Sequence, residues 1–259
     1  MHKMNKTLAA MIASSTLLAA PAAMADTIAG VYVGAQYWDM EASGSVGTDN
    51  SMEEFDLEDE YKGSVWIAIE HPVPVLPNLK LRYNQLDTDG SADVVDFEFG
   101  GNTYNGNATT DLETDHLDII MYYELLDNDT VWLDLGLNLK YGDYKVSVTG
   151  EIDDGAGGTL VDTTNESYNG VIPMLYGAGG VGFPFTGLGL FGEANWIGYD
   201  DHNAYDVQAG VRWMFLDNPA IDMEVQLGYR MISLDVEDLG DIYADVEFEG
   251  GFLGLQAHF

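Results

Sequence analysis

The chain has 259 residues, of which 44 are acidic and 9 are Lys or Arg, so that the formal net charge is −35. This charge excludes a nucleic-acid-binding protein, because phosphate contacts need clustered Lys and Arg. A hydrophobic content of 46% with 12% aromatic residues excludes intrinsic disorder, and the absence of cysteine excludes disulfides, thiolate metal sites and thiol nucleophiles.

The N-terminus predicts a cleaved secretory signal peptide. Lys3 and Lys6 form a basic start, an apolar run extends over residues 8–20, and Ala23-Met24-Ala25 is a small-x-small cleavage motif. The run is too short for a membrane-spanning helix, which needs about 20 apolar residues. We therefore expect a signal peptide over residues 1–25 and one domain over residues 26–259.

The rest of the chain predicts ten β-strands. Apolar and polar residues alternate with a period of two, and no segment with a helical period competes. The predicted strands are residues 28–39, 61–71, 79–89, 111–125, 130–149, 168–183, 188–199, 205–216, 220–236 and 245–259. Short turns (72–78, 126–129, 184–187, 217–219) alternate with mostly longer, acidic loops (40–60, 88–110, 150–167, 200–204, 237–244). Short turns at one end and longer loops at the other are typical of a transmembrane barrel.

The alternation separates an apolar face from a polar one. In the fifth predicted strand Val131, Leu133 and Leu135 lie on one face, and Trp132 and Asp134 on the other. A soluble β-sandwich would alternate in the same way. The signal peptide, the mid-strand charges of both signs and the terminal aromatic residue favour a transmembrane antiparallel up-and-down β-barrel. Eight strands with two extended hairpins are the structural alternative.

The final strand ends on Phe259 and carries an irregularity. Counted back from Phe259, Phe252 belongs to the inward face, whereas Val246 and Phe248 are assigned outward as apolar residues. The sequence therefore predicts a bulge, or the end of the lipid-facing stretch, near Gly250-Gly251.

The polar face predicts a network of charges in the lumen. A ten-stranded barrel is narrow and an unpaired buried charge is costly, so a mostly filled interior of paired charges is expected. A small polar conduit is the alternative. The predicted lumen residues are Lys62, Lys80, Arg82, Lys140, Arg212, Arg230, Glu70, Asp118, Glu124, Asp134, Glu193, Asp222 and Glu224.

The acidic loops suggest contact with cations. Asp87, Asp89, Asp93 and Glu98 fall at positions 1, 3, 7 and 12 of a calcium loop, although its glycine stands at position 4 and not at 6. These residues are weak metal candidates. No cofactor is expected beyond loosely bound Ca²⁺ or Mg²⁺ that bridges the loops to anionic lipopolysaccharide. A solvated acidic surface suited to salty water is the simpler alternative.

The strand faces and the aromatic ending resemble, over the whole chain, a family of Gram-negative outer-membrane β-barrel proteins named for a Gly-Gly motif. The doublets of this sequence are Gly100-Gly101, Gly157-Gly158, Gly179-Gly180 and Gly250-Gly251. The resemblance implies the outer membrane and no assigned biochemical activity. In barrels of this kind a terminal Phe such as Phe259 is read by the barrel-assembly machinery.

A second, local resemblance is to the omptin proteases. Asp87-x-Asp89 and Asp200-x-His202 are similar to the Asp-x-Asp and Asp-x-His pairs with which omptins activate a water across the barrel mouth. A His oriented by a carboxylate is a sound general base. An omptin-like outer-membrane protease is therefore the alternative function.

Taken together, the sequence predicts a non-enzymatic barrel in the outer membrane of a Gram-negative bacterium, reached by signal-directed export. Its acidic loops would serve surface or cation interaction, or its lumen would pass small solutes to a limited extent. The expected partners are outer-membrane lipid, lipopolysaccharide and the assembly machinery, with no nucleic acid. The oligomeric state stays open.

Overall fold

The computed structural model describes residues 29–48, 51–128, 130–199, 202–239 and 242–259. The predicted signal peptide and Asp200 lie outside these ranges. None of the described residues belongs to a helix that is long and apolar enough to cross a membrane.

The chain forms antiparallel strands that close into a ring. The order around the ring is β1-β3-β4-β7-β8-β9-β10-β11-β12-β13, and β13 pairs again with β1. The ten-stranded barrel is therefore confirmed, and the eight-stranded alternative is wrong. The segments are β1 (Gly30–Thr48), β2 (Ser51–Leu57), β3 (Glu60–Glu70), β4 (Asn78–Asn84), β5 (Asp87–Phe99), β6 (Asn102–Glu113), β7 (His116–Asp127), β8 (Val131–Asp153), β9 (Thr159–Gly182), β10 (Leu188–Tyr199), β11 (His202–Leu216), β12 (Asp222–Leu239) and β13 (Ile242–His258).

Three of the ten ring strands are long strands interrupted once. Two-residue breaks separate β2 from β3, β4 from β5 and β6 from β7. Beyond the breaks, β2 pairs with β1 and β5, and β6 pairs with β5 and β8, so that the wall continues at that end. We call this part the extension: β2, β5 and β6 with the adjoining ends of β1, β8, β9, β12 and β13. The opposite end carries the turns 71–77, 183–187 and 217–221 together with Asn128 and Thr130, and we call it the short-turn end.

The extension replaces most of what the sequence predicted as loops. Residues 40–60, 88–110 and 150–167 are largely strand, so the prediction of long loops there was wrong. Their carboxylates alternate with apolar residues, as in Asp93–Val94 and Glu98–Phe99. This period of two is typical of a strand with one face exposed to water.

The polarity of the two faces inverts along each long strand. Near the short-turn end of β13, Leu253 and Leu255 are exposed on the outside; in the extension, Glu247 faces outward, while Val246 and Phe248 are buried. The outward assignment of Val246 and Phe248 was therefore wrong. The physical reason is that the outer face meets lipid at one level and water at the other, while the side chains keep alternating.

No bulge accompanies this inversion in the pairing of β13 with β12. Tyr229 pairs with Gly251 and Arg230 with Gly250 in unbroken register. The lipid-facing stretch ends here, which is the second of the two sequence expectations. Gly250 is required for a different reason: a Cβ at this position would collide with the backbone oxygen of Asp39 on β1.

The inversion predicts unequal effects of a charge on the two levels of β9. Leu175 and Asn169 are both exposed on the outer face, on the lipid and water levels respectively. Leu175→Arg is expected to destabilise the barrel by about 2–4 kcal/mol, because the charge enters hydrocarbon, whereas Asn169→Arg changes little. Urea unfolding in lipid vesicles measures both. Equal shifts of the two midpoints would contradict the assigned membrane level.

Candidate functional site: a sealed lumen above an open cavity

A network of buried charges crosses the middle of the barrel. Arg230 forms a bidentate salt bridge with Asp206, with Nε–Oδ1 and Nη2–Oδ2 distances of 2.9 and 2.8 Å. Asp118 accepts contacts from Lys140 Nζ at 3.0 Å and from Arg82 Nε at 3.3 Å. All five side chains are at most 3% exposed. Oppositely charged side chains are thus buried in contact with each other, which is the condition under which buried charge is tolerated.

Further polar groups complete this network and tie seven strands together. Glu193 of β10 contacts Arg82 Nη2 at 2.6 Å and Lys80 Nζ at 2.7 Å. Asn84 and Asn138 each donate to Asp118 at 2.8 Å. Further links include Ser64 to Asn84 at 2.8 Å, Arg230 to Asn84 at 3.0 Å and Lys140 to Asp206 at 3.5 Å.

His116 lies inside the network and is held as a neutral ring. Its Nδ1 is 2.8 Å from the carbonyl oxygen of Thr114, so Nδ1 carries the proton, and Nε2 accepts from Lys140 Nζ at 2.7 Å. His116, Asp118 and Asp206 are the one group of the described residues whose ligand atoms lie close enough to share a metal ion. Lys140 contacts all three residues, which opposes a further cation between them.

An apolar cluster fills the lumen beyond the network, in the extension. Along β8, Lys140 is followed by the buried Val146 and Val148; on β13, Phe248 lies one inward position beyond Gly250, the partner of Arg230. Other members include Phe55, Val94, Phe97, Phe99, Tyr104, Leu112, Ile232 and Val246. The lumen is therefore closed at two successive levels, first by paired charges and then by packed apolar side chains.

A cavity of about 1220 Å³ occupies the other side of the network, at the short-turn end. Arg82 and Glu193 belong both to its wall and to the network that closes it. Trp66 also lines it and donates from Nε1 to Gln256 at 3.0 Å, while Tyr122 donates to Glu70 at 2.7 Å. The lumen is thus open at the short-turn end and closed at the level of the network.

The structure places the predicted lumen residues in three settings. Lys80, Arg82, Lys140, Arg230, Asp118 and Glu193 belong to the network, and Glu70, Glu124, Asp134, Arg212 and Glu224 line the cavity. Lys62 contacts Glu60 at 2.7 Å and Asp87 at 2.9 Å near the break between β2 and β3, and Asp222 lies 3.5 Å from His258 at the short-turn end.

Asp206 and His116, two further titratable members of the network, were not among the predicted lumen residues. Asp206 has the same parity as Gln208 and Arg212 on β11, and this parity was the available signal. His116 shares its parity with Asp118 on β7 in the same way.

The structure places the Asp87-x-Asp89 pair of the omptin-like set away from the lumen. Asp87 and Asp89 are exposed on the outer side of β5, and their strand lies opposite β11, with four strands between them in either direction. The apolar cluster separates the two walls. The side chain of His202 lies outside what the structure describes, as does Asp200.

The candidate calcium ligands are also spread apart. Asp87, Asp89, Asp93 and Glu98 are exposed along β5. At about 3.3 Å per residue, the first and last of them are roughly 36 Å apart, whereas one Ca²⁺ needs all its oxygens at about 2.5 Å. They are part of a broader acidic surface and not one coordination sphere.

A groove of about 800 Å³ on the outer wall of the extension concentrates this acidity. Asp56, Glu58, Asp89 and Asp111 line it. Partial burial raises the pKa of Asp111, and the negative charges of Asp89 and Glu113 raise it further. Protons or mobile cations are therefore favoured along this groove.

Comparison with known proteins concerns the fold alone. No protein-family model and no curated protein matches the sequence. The outer membrane protease OmpT of Escherichia coli has a TM-score of 0.53 at 11% identity, covering 89% of this chain and 96% of that one. The chain has the fold of an outer-membrane β-barrel. At this identity the likeness says nothing about catalysis.

Two further solved structures belong to the same broad class. Ail of Yersinia pestis has a TM-score of 0.32 at 10% identity, covering 89% of this chain and 99% of that one. The β domain of the Bordetella autotransporter BrkA has a TM-score of 0.37 at 12% identity, with 90% and 99% covered. The resemblance to the Gly-Gly family stays a prediction. Two of its candidate doublets, Gly179-Gly180 and Gly250-Gly251, lie within strands of the barrel wall.

Proposed function

We propose that this protein is a sealed, non-enzymatic barrel of the outer membrane that holds a rigid, acidic β-structure at the cell surface. The observation that carries the proposal is the double closure of the lumen by the charge network and the apolar cluster. A solute could pass only if at least five mutually paired, buried charges and the packed aromatic residues beyond them moved aside.

The orientation follows from the unequal ends. Barrels of this class keep short turns in the periplasm and longer segments outside the cell. The extension would then face the exterior, and the open cavity would face the periplasm. The signal-directed export predicted from residues 1–25 agrees with this arrangement.

The extension supplies the surface activity. Its outer face carries the carboxylates of β1, β2, β5, β6 and β13, and its interior is packed like a soluble core, so the charges are held on a rigid wall. Carboxylates are ligands for hard divalent cations, and such cations can link the wall to anionic lipopolysaccharide. Envelope integrity at the level of the lipopolysaccharide headgroups is the role that this geometry favours.

Planar-bilayer recordings test the sealed lumen. The purified wild-type protein is expected to give no discrete conductance steps at any voltage, because no continuous aqueous path crosses the network. The variant Asn169→Arg, which alters only the outer wall, should be equally silent. Regular steps from the wild-type protein would overturn the proposal and favour a conduit for small solutes.

A further inference from the structure

We infer that the cavity at the short-turn end is a binding site for a linear polyamine, a chain bearing several ammonium groups. The cavity is not explained by a sealed scaffold, since its wall is polar and its volume of about 1220 Å³ lies in the range of ligand pockets. The chemistry of the wall decides which ligand it would take.

The wall of this cavity is strongly acidic. Seven carboxylate residues and three basic residues line it. The three basic residues already have partners: Lys80 and Arg82 contact Glu193, and Arg212 Nη1 lies 3.5 Å from Glu224. Acidic residues thus outnumber basic ones in the wall, and this favours a positively charged ligand.

Asp134 is the residue that points most directly to a ligand. Its side chain faces the cavity from β8 and the residue is only 9% exposed, yet no described residue gives its carboxylate a hydrogen bond or an ion pair. Of the four charged groups that act on it most strongly, Glu70, Glu124 and Asp127 are acids; the fourth is Lys80, which contacts Glu193. A carboxyl group in such surroundings is stabilised by a cationic hydrogen-bond donor, and an ammonium group of a ligand would supply one.

The spacing of the carboxylates excludes one compact metal centre. Among the residues that the structure describes, only His116, Asp118 and Asp206 have three ligand atoms close enough to share an ion, and they lie in the network. Glu124 and Asp134 are direct partners on β7 and β8, whereas Glu70 belongs to β3 and meets Tyr122 from across β4. The ligand must therefore carry its positive charges at several points along its length.

The aromatic residues of the wall suit the alkyl segments between those charges. Trp66 lies under Lys80 Nζ at 5.8 Å from its ring centroid, and Trp132 lies under the guanidinium of Arg212 at 6.0 Å. Each indole thus already contacts a cationic side chain. A ligand's ammonium group near these rings would also gain cation–π attraction. Tyr122 and Tyr176 extend this surface.

Calorimetric titration of the detergent-solubilised protein with spermidine tests the inference. The wild-type protein is expected to bind in the cavity, and Asp134→Asn is expected to weaken this binding at least tenfold. Asp89→Asn is the matched control: it makes the same change of charge on the exposed outer wall, and it should weaken binding less than twofold. Equal losses in the two variants would mean diffuse attraction to an acidic protein and would overturn the site. Displacement of spermidine by Mg²⁺, at a concentration that supplies the same amount of positive charge, would also overturn the site.

Thermal unfolding provides a second readout that a merely structural residue would not show. Spermidine should raise the unfolding midpoint of the wild-type protein, and it should raise that of Asp134→Asn much less. Glu124→Gln should diminish the spermidine shift of the wild-type protein as well. A destabilised Asp134→Asn variant that keeps the full spermidine shift would contradict the inference. The measurement needs no bilayer, so its outcome is separate from that of the conductance test.

Discussion

Asp206→Ala is expected to destabilise the folded barrel by about 3–5 kcal/mol, the cost of breaking a buried ion pair from one side. Asp206 is 3% exposed and contacts both Arg230 and Lys140. Its removal leaves these two positive charges in the lumen without the acid that lies between them. Urea unfolding in lipid vesicles, followed by the mobility difference of folded and unfolded barrels on gels, measures the change. Asp235→Ala, which removes an exposed carboxylate from the neighbouring strand β12, should shift the midpoint little.

A double variant separates the loss of the pair from the loss of packing. Asp206→Asn with Arg230→Gln removes both charges and keeps a polar amide at each position, so it should recover more than half of the loss seen in Asp206→Asn alone. Strictly additive effects of the two substitutions would show that the pair is not coupled, contrary to the two short contacts that join them.

Phe97→Ala is expected to cost about 3–5 kcal/mol and to unfold the extension while the membrane-embedded wall stays closed. Phe97 is 1% exposed and packs against Phe55, Phe99 and Tyr104, so truncation opens a hole in the apolar cluster. Chymotrypsin should then cut within β5 and β6 at a temperature where the wild-type protein resists it, and the gel mobility of the folded barrel should persist.

The matched control for this substitution lies two residues away on the same strand. Val95 is 79% exposed, and Val95→Ala removes apolar atoms that already face water. It should leave the protease resistance unchanged. If Val95→Ala opened the extension as readily as Phe97→Ala, or if Phe97→Ala left it resistant, the apolar cluster would not be what holds the extension together.

The period-two alternation was sufficient to predict the ten ring strands and the short turns, because it reflects only the local geometry of a strand. The inward direction of Lys140, Asp118 and Arg230 followed from the same alternation. The extension was not predicted, because its acidic and apolar residues alternate with the opposite polarity. A rule that equates apolar with outward holds only where lipid surrounds the wall, and Val246 and Phe248 lie beyond that level.

The sequence by itself determined the ten ring strands, the parity of each side chain and most of the charges that enter the lumen. Only the closed ring decided how those charges meet, because Arg230 reaches Asn84 and Ser64 across 146 and 166 residues of chain. Asp118 and Asp134 illustrate the difference: both are inward acids by sequence, yet one lies among Lys140, Arg82 and Asn138, and the other faces an open acidic cavity. Parity is a local property, whereas pairing depends on which strands the barrel brings side by side.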